Sequence, residues 1–357
     1  MYICPVKINA QALDVGPKSI LWYKMKKTFS LLAVLLLFLP LRSQGAEGDV
    51  VDLTIIPQVE GYGVFSKGEK PEFGFANTNL YTNFVLTPSE HFSFTLVNHW
   101  LTAPTIGEKF WKEQNEMLYR TLGYSWATNC IDFCHADFTF GNWSFGIGKD
   151  VIHMGGIEFD PFDYDQAINL VSDAWLLTNV YQWGGRVTFT SSSECTALTV
   201  AMRTSPAGEH PFSSGLKTFS GEWRGNYGPF SNIWQVAAIQ VESTTSKHKY
   251  IPVVTLGQQL ELGALTLGFQ WMNRVGGEDE VLSKGHTFLG QIILAPGDKF
   301  SLEARCIRQT AVSQKWLAGL IADFYPTEDI RIRVSGAYDT LFKTTTATLG
   351  VTFNIHI

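Results

Sequence analysis

The residues with the most chemical potential lie in one stretch, VIHMGGIEFDPFDYDQAINLVSDAWLLTNVYQ, at 151–182. It carries Glu158, Asp160, Asp163, Asp165 and Asp173 together with Tyr164, Phe159 and Phe162. Carboxylates at this density can sort solutes by charge. For acid–base catalysis they would also need a partner with a displaced pKa or a nucleophile within reach. The stretch has no period of two, and only 166–177 has room for a helical turn or two. A segment this long without regular structure inside a compact unit is usually functional.

A second set of charges has the opposite sign. Arg186, Arg203, Arg224, Arg305, Arg331 and Arg333 each sit beside an apolar neighbour: Val187, Met202, Trp223, Ala304 and Ile332. Adjacent strand residues point to opposite faces, so these arginines share the polar face of their segments. Arginines on one wall and acids on a segment facing them predict a transverse field across a narrow water-filled path. A solute would be chosen there by size and by how its charge sits between the signs. This is a binding and filtering device with no catalytic residue. The sign of selectivity stays open, because the arginines favour anions and the acids favour cations.

Other chemistry is weaker. GYSWA at 123–127 approaches a nucleophile elbow but lacks its second glycine and a following helix. His91, His99 and His356 fall on polar strand faces, and His153 and His210 in loops, with no triad spacing. Cys130, Cys134 and His135 lack a fourth metal ligand, and Cys195 and Cys306 are isolated. Cys130 and Cys134 on one extended strand would lie about 13 Å apart, too far to bond. No cofactor and no metal is expected.

The elements that position these charges are short alternating segments. The chain ends on TATLGVTFNIHI, where Ala347, Leu349, Val351, Phe353, Ile355 and Ile357 alternate with Thr348, Gly350, Thr352, Asn354 and His356. The same grammar recurs at 91–97, 143–147, 183–189, 196–202, 218–223, 265–271, 300–306 and 330–334. Hydrophobic residues make up 45% of the chain, yet after the N-terminal region no run approaches the ~20 needed for a membrane helix. The apolar content is spread over every second residue, as in a transmembrane antiparallel β-barrel of about 16 strands (range about 14–18) with an inward-folded constriction loop. Short turns at 141–143, 261–263, 296–298 and 326–329 alternate with longer polar loops at 209–216, 244–248 and 276–285. Trp100, Trp143, Trp183, Trp223, Trp234, Trp271, Trp316, Tyr325 and Tyr338 sit near strand ends, where a membrane interface favours aromatic rings. A terminal strand without a cap is acceptable if it closes a barrel on the first strand, near 51–65.

Residues 25–45 have two lysines, an apolar core and small residues at Ser43 and Gly45, the pattern of a secretory signal peptide. That leaves 1–24 as an upstream extension and 46–357 as one barrel domain. Lys7, Lys18, Lys24, Lys26, Lys27 and Arg42 would leave with the leader against Asp14 alone, taking the formal charge below −6. Without a basic run, nucleic acid is excluded as a partner.

The run FGIGKDVIHMGGIEFDPFDYD at 145–165 is similar to the strand and following loop of the phosphate- or polyphosphate-selective porin O/P family. The resemblance implies a 16-stranded barrel in the outer membrane of a Gram-negative bacterium, typically a homotrimer, with an inward loop and a basic lumen. The family's lysine-rich phosphate zone has no counterpart here, and Ile357 replaces the usual terminal aromatic. Only a general porin is carried over: passive diffusion of small hydrophilic solutes, with membrane lipid and lipopolysaccharide as surroundings. The alternatives are an outer-membrane barrel lipid hydrolase and a secreted β-sandwich that binds carbohydrate. For the acidic segment, the alternative is an external loop with no constricting role.

Overall fold

The computed structural model describes residues 50–102, 131–206, 215–241, 249–274, 285–310 and 314–357. The leader and extension, Cys130 and the GYSWA motif lie outside the described residues.

The strands, in order, are β1 (Val51–Ser66), β2 (Glu72–Ser89), β3 (Phe92–Thr102), β4 (Ile131–Phe140), β5 (Trp143–Val151), β6 (Tyr181–Thr190), β7 (Thr196–Thr204) and β8 (Lys217–Tyr227). They continue with β9 (Phe230–Val241), β10 (Lys249–Leu262), β11 (Leu265–Met272), β12 (Thr287–Gly297), β13 (Phe300–Gln309), β14 (Lys315–Thr327), β15 (Ile330–Asp339), β16 (Thr344–Phe353) and β17 (Ile355–His356). β16 and β17 form one stave across Asn354, and β1 pairs with both of them as well as with β2. The sheet is therefore a closed antiparallel cylinder of sixteen staves. Closure removes the free edge, which is why a chain can end on an uncapped strand. A β-sandwich, with two separate sheets, is excluded by the same pairing.

Side-chain alternation sets which face looks in. On β7, Leu198, Val200 and Met202 are exposed on the outside while Thr199, Ala201 and Arg203 are buried within. On β16, Leu349 and Phe353 point out, and Thr344, Thr348 and Thr352 point in. The outer surface has no second layer to pack on, which in water would leave apolar side chains wet around the whole circumference. Among the described residues no helix is long and apolar enough to cross a membrane.

The two rims differ. Tight turns join β2 to β3, β4 to β5, β8 to β9, β10 to β11, β12 to β13 and β14 to β15, and the chain end lies at this rim, where Ile357 N–H donates to Leu53 O. Gly141, Gly228 and Gly263 take positive φ (55°, 67° and 64°) at three of these turns, a conformation that carries little cost without a Cβ. The five-residue β6–β7 connection, 191–195, lies at this rim too, while the connection 152–180 leaves from the opposite rim. Trp143 lies at the short-turn end of its strand and Trp316 and Tyr338 at the loop end, each 45–49% exposed, giving an aromatic band at either edge of the apolar belt.

The outward face yields a direct prediction. Val200 is 64% exposed near the middle of β7, and arginine on the lipid face at mid-bilayer costs about 2–4 kcal/mol. Val200→Arg is expected to cut the yield of folded, heat-modifiable barrel in lipid vesicles severalfold. Unchanged folding would mean this face does not meet hydrocarbon.

Candidate functional site

The long connection between β5 and β6, residues 152–180, folds inside the cylinder. It contains three single 3₁₀ turns, Gly156–Glu158, Asp163–Asp165 and Ile168–Leu170, and one short helix α1, Asp173–Leu177. The helical turns expected within 166–177 are present.

Apolar packing anchors this loop to one side of the inner wall. Ile152, Met154 and Ala174 form a buried cluster with Ala237, Ile239, Val241, Ile251, Val253 and Met272. Ile157, Ala167 and Leu170 form another with Ile233, Leu289, Ile307, Leu317, Ile321 and Ala337. The inner faces of β9, β10, β12, β13, β14 and β15 are apolar in part because they are covered by the loop and not by water. Wall glutamines satisfy the descending backbone: Gly156 N–H donates to Gln235 Oε1 (2.7 Å) and Glu158 N–H to Gln270 Oε1 (3.2 Å). Gly156 sits at φ +59° against the Gln270 side chain, a place where a Cβ would collide.

The loop is stapled to itself as well. The Glu158 carboxylate accepts from Ser172 N–H (2.6 Å) and Ser172 Oγ (2.8 Å), and Gln166 Nε2 donates to Glu158 O (2.7 Å). Ser172 in turn caps α1, its Oγ accepting from Trp175 N–H at 3.2 Å. Burial pushes the Glu158 carboxyl up, and the two Ser172 bonds pull it back. Residues 158–172 thus form a compact Ω-shaped insert closed at its neck.

All six arginines project inward, as their parity predicts. What they meet differs from an open transverse field. Arg224 Nη2 touches Asp160 Oδ1 at 2.6 Å; Arg331 pairs with Asp165 and donates to Tyr164 O. Arg333 clamps Asp323 through two bonds of 2.7 Å and donates to Asp165 O at 2.6 Å. Arg186 bridges Asp137 and Asp150, Arg203 reaches Asp150, and Arg305 pairs with Glu303 while donating to Leu170 O. The charges are compensated by contact: Arg224, Arg305, Arg331 and Arg333 reach the loop and hold it in place, while Arg186 and Arg203 pair with acids of the wall, and the expected gap is absent at these pairs. Asp173 pairs with Lys315, a lysine whose inward position the sequence did not single out.

Asp163 is the acid with a different partner. Its Oδ1 accepts from Tyr181 Oη at 2.8 Å. Burial, then the nearby Asp132, pushes its carboxyl up to about 7, against the pull of the Tyr181 hydroxyl and His99. Its charge should therefore develop around neutrality. Raising the pH from about 6 to about 8 is expected to increase cation preference in wild-type protein more than in Asp163→Asn, read as reversal potential in a salt gradient. Equal pH responses in the two would refute this. Nearby, His99 pairs with Asp132 at 2.9 Å, His135 with Asp137 at 3.1 Å and His153 with Glu222 at 3.3 Å.

An aromatic chain lies at the loop's deepest part. Tyr181 to Phe133, Phe133 to Phe162, Phe162 to Tyr164, and Tyr164 to Tyr81 are separated by 5.1, 5.5, 5.3 and 5.3 Å between ring centres. Only Tyr164 of these was legible as a site residue from sequence. Among the described residues no group of metal-ligating side chains occurs, and Cys134, Cys195 and Cys306 are free thiols.

No protein-family model matches the chain, and no characterised protein matches it in sequence. Solved structures similar to it include porins. A mutant of the Rhodopseudomonas blastica porin superposes with a TM-score of 0.59 at 14% identity, over 85% of this chain and 100% of that one. A second mutant of the same porin gives 0.59 at 13% identity with the same coverage. A structure titled "Asymmetric conductivity of engineered proteins" gives 0.58 at 14%, again over 85% and 100%. The chain therefore has the general porin-type fold, a closed sixteen-stranded barrel. The comparison reaches the fold and not the phosphate- or polyphosphate-selective group.

Proposed function

We propose that this protein is an outer-membrane porin of a Gram-negative cell, a water-filled channel for passive diffusion of small hydrophilic solutes. The observation that carries the reading is the combination of an apolar outer belt, a polar and charged inner wall, and a loop fixed inside the cylinder by ion pairs from that wall. Such a cylinder has lipid as its natural outer solvent and water as its inner one. The inner residues act by lining and narrowing the path: Asp160, Asp163, Tyr164, Asp165 and Asp173 from the loop and Arg186, Arg224, Arg305, Arg331 and Arg333 from the wall, with Glu158 and Arg203, both buried, holding the loop and the wall in shape. Assembly as a homotrimer, with lipid and lipopolysaccharide against the belt, belongs to the same proposal. The chain acts as a channel and not as an enzyme.

The test is conductance. Protein folded in detergent, with its heat-dependent shift in gel mobility as proof of folding, is added to a planar lipid bilayer. Discrete current steps are expected. A folded barrel that inserts and gives no steps would overturn the channel reading, and fractionation to the cytosol would overturn the location.

A further inference from the structure

We infer that the apex of the lumen loop is a saccharide subsite, on which a pyranose ring rests with its C–H face on Phe162 and its hydroxyls on Asp160 and Arg224. This deepens the channel reading and rests on it.

Phe162 is the starting observation. It lies inside the barrel, packed edge-on against Phe133 of β4 (5.5 Å, 76°) and stacked on Tyr164 (5.3 Å, 10°), yet it remains 38% exposed. Its orientation is held by rings that are themselves held: Phe133 rests on Tyr181 at 5.1 Å, and Tyr181 is hydrogen-bonded to Asp163. A phenyl ring packed on Phe133 and Tyr164 and still 38% exposed is not core among the described residues. Aromatic faces are electron-rich and attract weakly positive hydrogens, and the C–H groups on one face of a pyranose supply them.

Polar groups of the right kind stand next to the ring along the loop. Asp160, two residues before it, and Arg224 of β8 meet at 2.6 Å while 43% and 45% of their side chains stay accessible. A carboxylate accepts from hydroxyls and a guanidinium donates to them in a fixed plane, so adjacent sugar hydroxyls can use both. Compensation decides between ligand classes. A permeating anion or cation meets a charge already neutralised by its partner, whereas a neutral polyol engages donor and acceptor together without separating them.

The experiment reads current blocking. Wild-type channels in a bilayer are titrated with maltotriose, with sorbitol as a ring-free polyol, and with sodium gluconate as an anion. Maltotriose is expected to interrupt the current at lower concentration than sorbitol or gluconate. Phe162→Ala is expected to raise the half-blocking concentration by about tenfold, the equivalent of about 1.4 kcal/mol, and Phe162→Tyr, which keeps the ring, to restore it. Open channels that maltotriose blocks no better than sorbitol, or that Phe162→Ala blocks equally well, overturn the subsite while leaving the channel intact. Stronger blocking by gluconate than by maltotriose overturns it in favour of an anion site. Absence of any current steps refutes both the channel and the subsite built on it.

Discussion

Glu158→Ala is expected to raise single-channel conductance and open-channel noise while the barrel still assembles. The carboxylate lies wholly inside the loop and bonds the N–H and hydroxyl of Ser172, fourteen residues further along. Truncation strands a buried N–H, at about 1–3 kcal/mol, and loosens the Ser172 cap of α1, typically about 1 kcal/mol more. The barrel's strand ladders do not pass through this contact, so the loss falls on the loop alone. Freed at its neck, the segment 158–172 samples wider positions and the lumen opens. Glu158→Gln, which keeps one acceptor and nearly the same volume, should lie between the two. The measurements are conductance in planar bilayers and limited proteolysis of 152–180. Wild-type conductance together with an equally protected loop in Glu158→Ala would refute the staple.

That contact also marks a boundary of what the sequence reveals. Strands such as β7 and β16 were readable because their inner residues, Thr199, Arg203, Thr348 and Thr352, are polar and stand against apolar outer ones. β9, β10, β12 and β14 were not among the clean segments, and the reason is physical. Ile239, Ile251, Val253, Leu289, Leu317 and Ile321 point inward, apolar on the supposedly wet face, because the loop covers them. A functional insert thus erases the period of two in the strands it packs against. The arginines were legible by parity, since a lipid-facing guanidinium is too costly. Their partners were not, because Asp165 reaches Arg331 across 166 positions and nothing local encodes that distance. Phe133 and Tyr181 carried no local signal of a site; the fold sets Phe162 against Phe133 and Phe133 against Tyr181.

Pairing by contact turns the charge chemistry of the lumen into a set of masked charges, and unmasking them should move selectivity in opposite directions. Arg331 and Asp165 are the sharpest case: the arginine is 9% accessible, the carboxylate 38%, and the two touch. Arg331→Gln removes the guanidinium in contact with the Asp165 carboxylate, leaving only the weaker attraction of Arg333, and is expected to shift the channel toward cations. Asp165→Asn leaves Arg331 uncompensated and should shift it toward anions. An unmasked charge about 4 Å from a passing ion is worth about 1 kcal/mol at water's dielectric constant and about 4 kcal/mol at an effective value of 20. Permeability ratios should therefore change by at least about fivefold. The double variant removes both charges and is expected to return close to wild type, because the two opposite shifts cancel. Reversal potentials across a salt gradient, taken near 0.1 M where the screening length is about 10 Å, read all four proteins. Shifts of the same sign in the two single variants, or no shift in either, would mean that the pair ties the loop down without masking charge along the path of the ions.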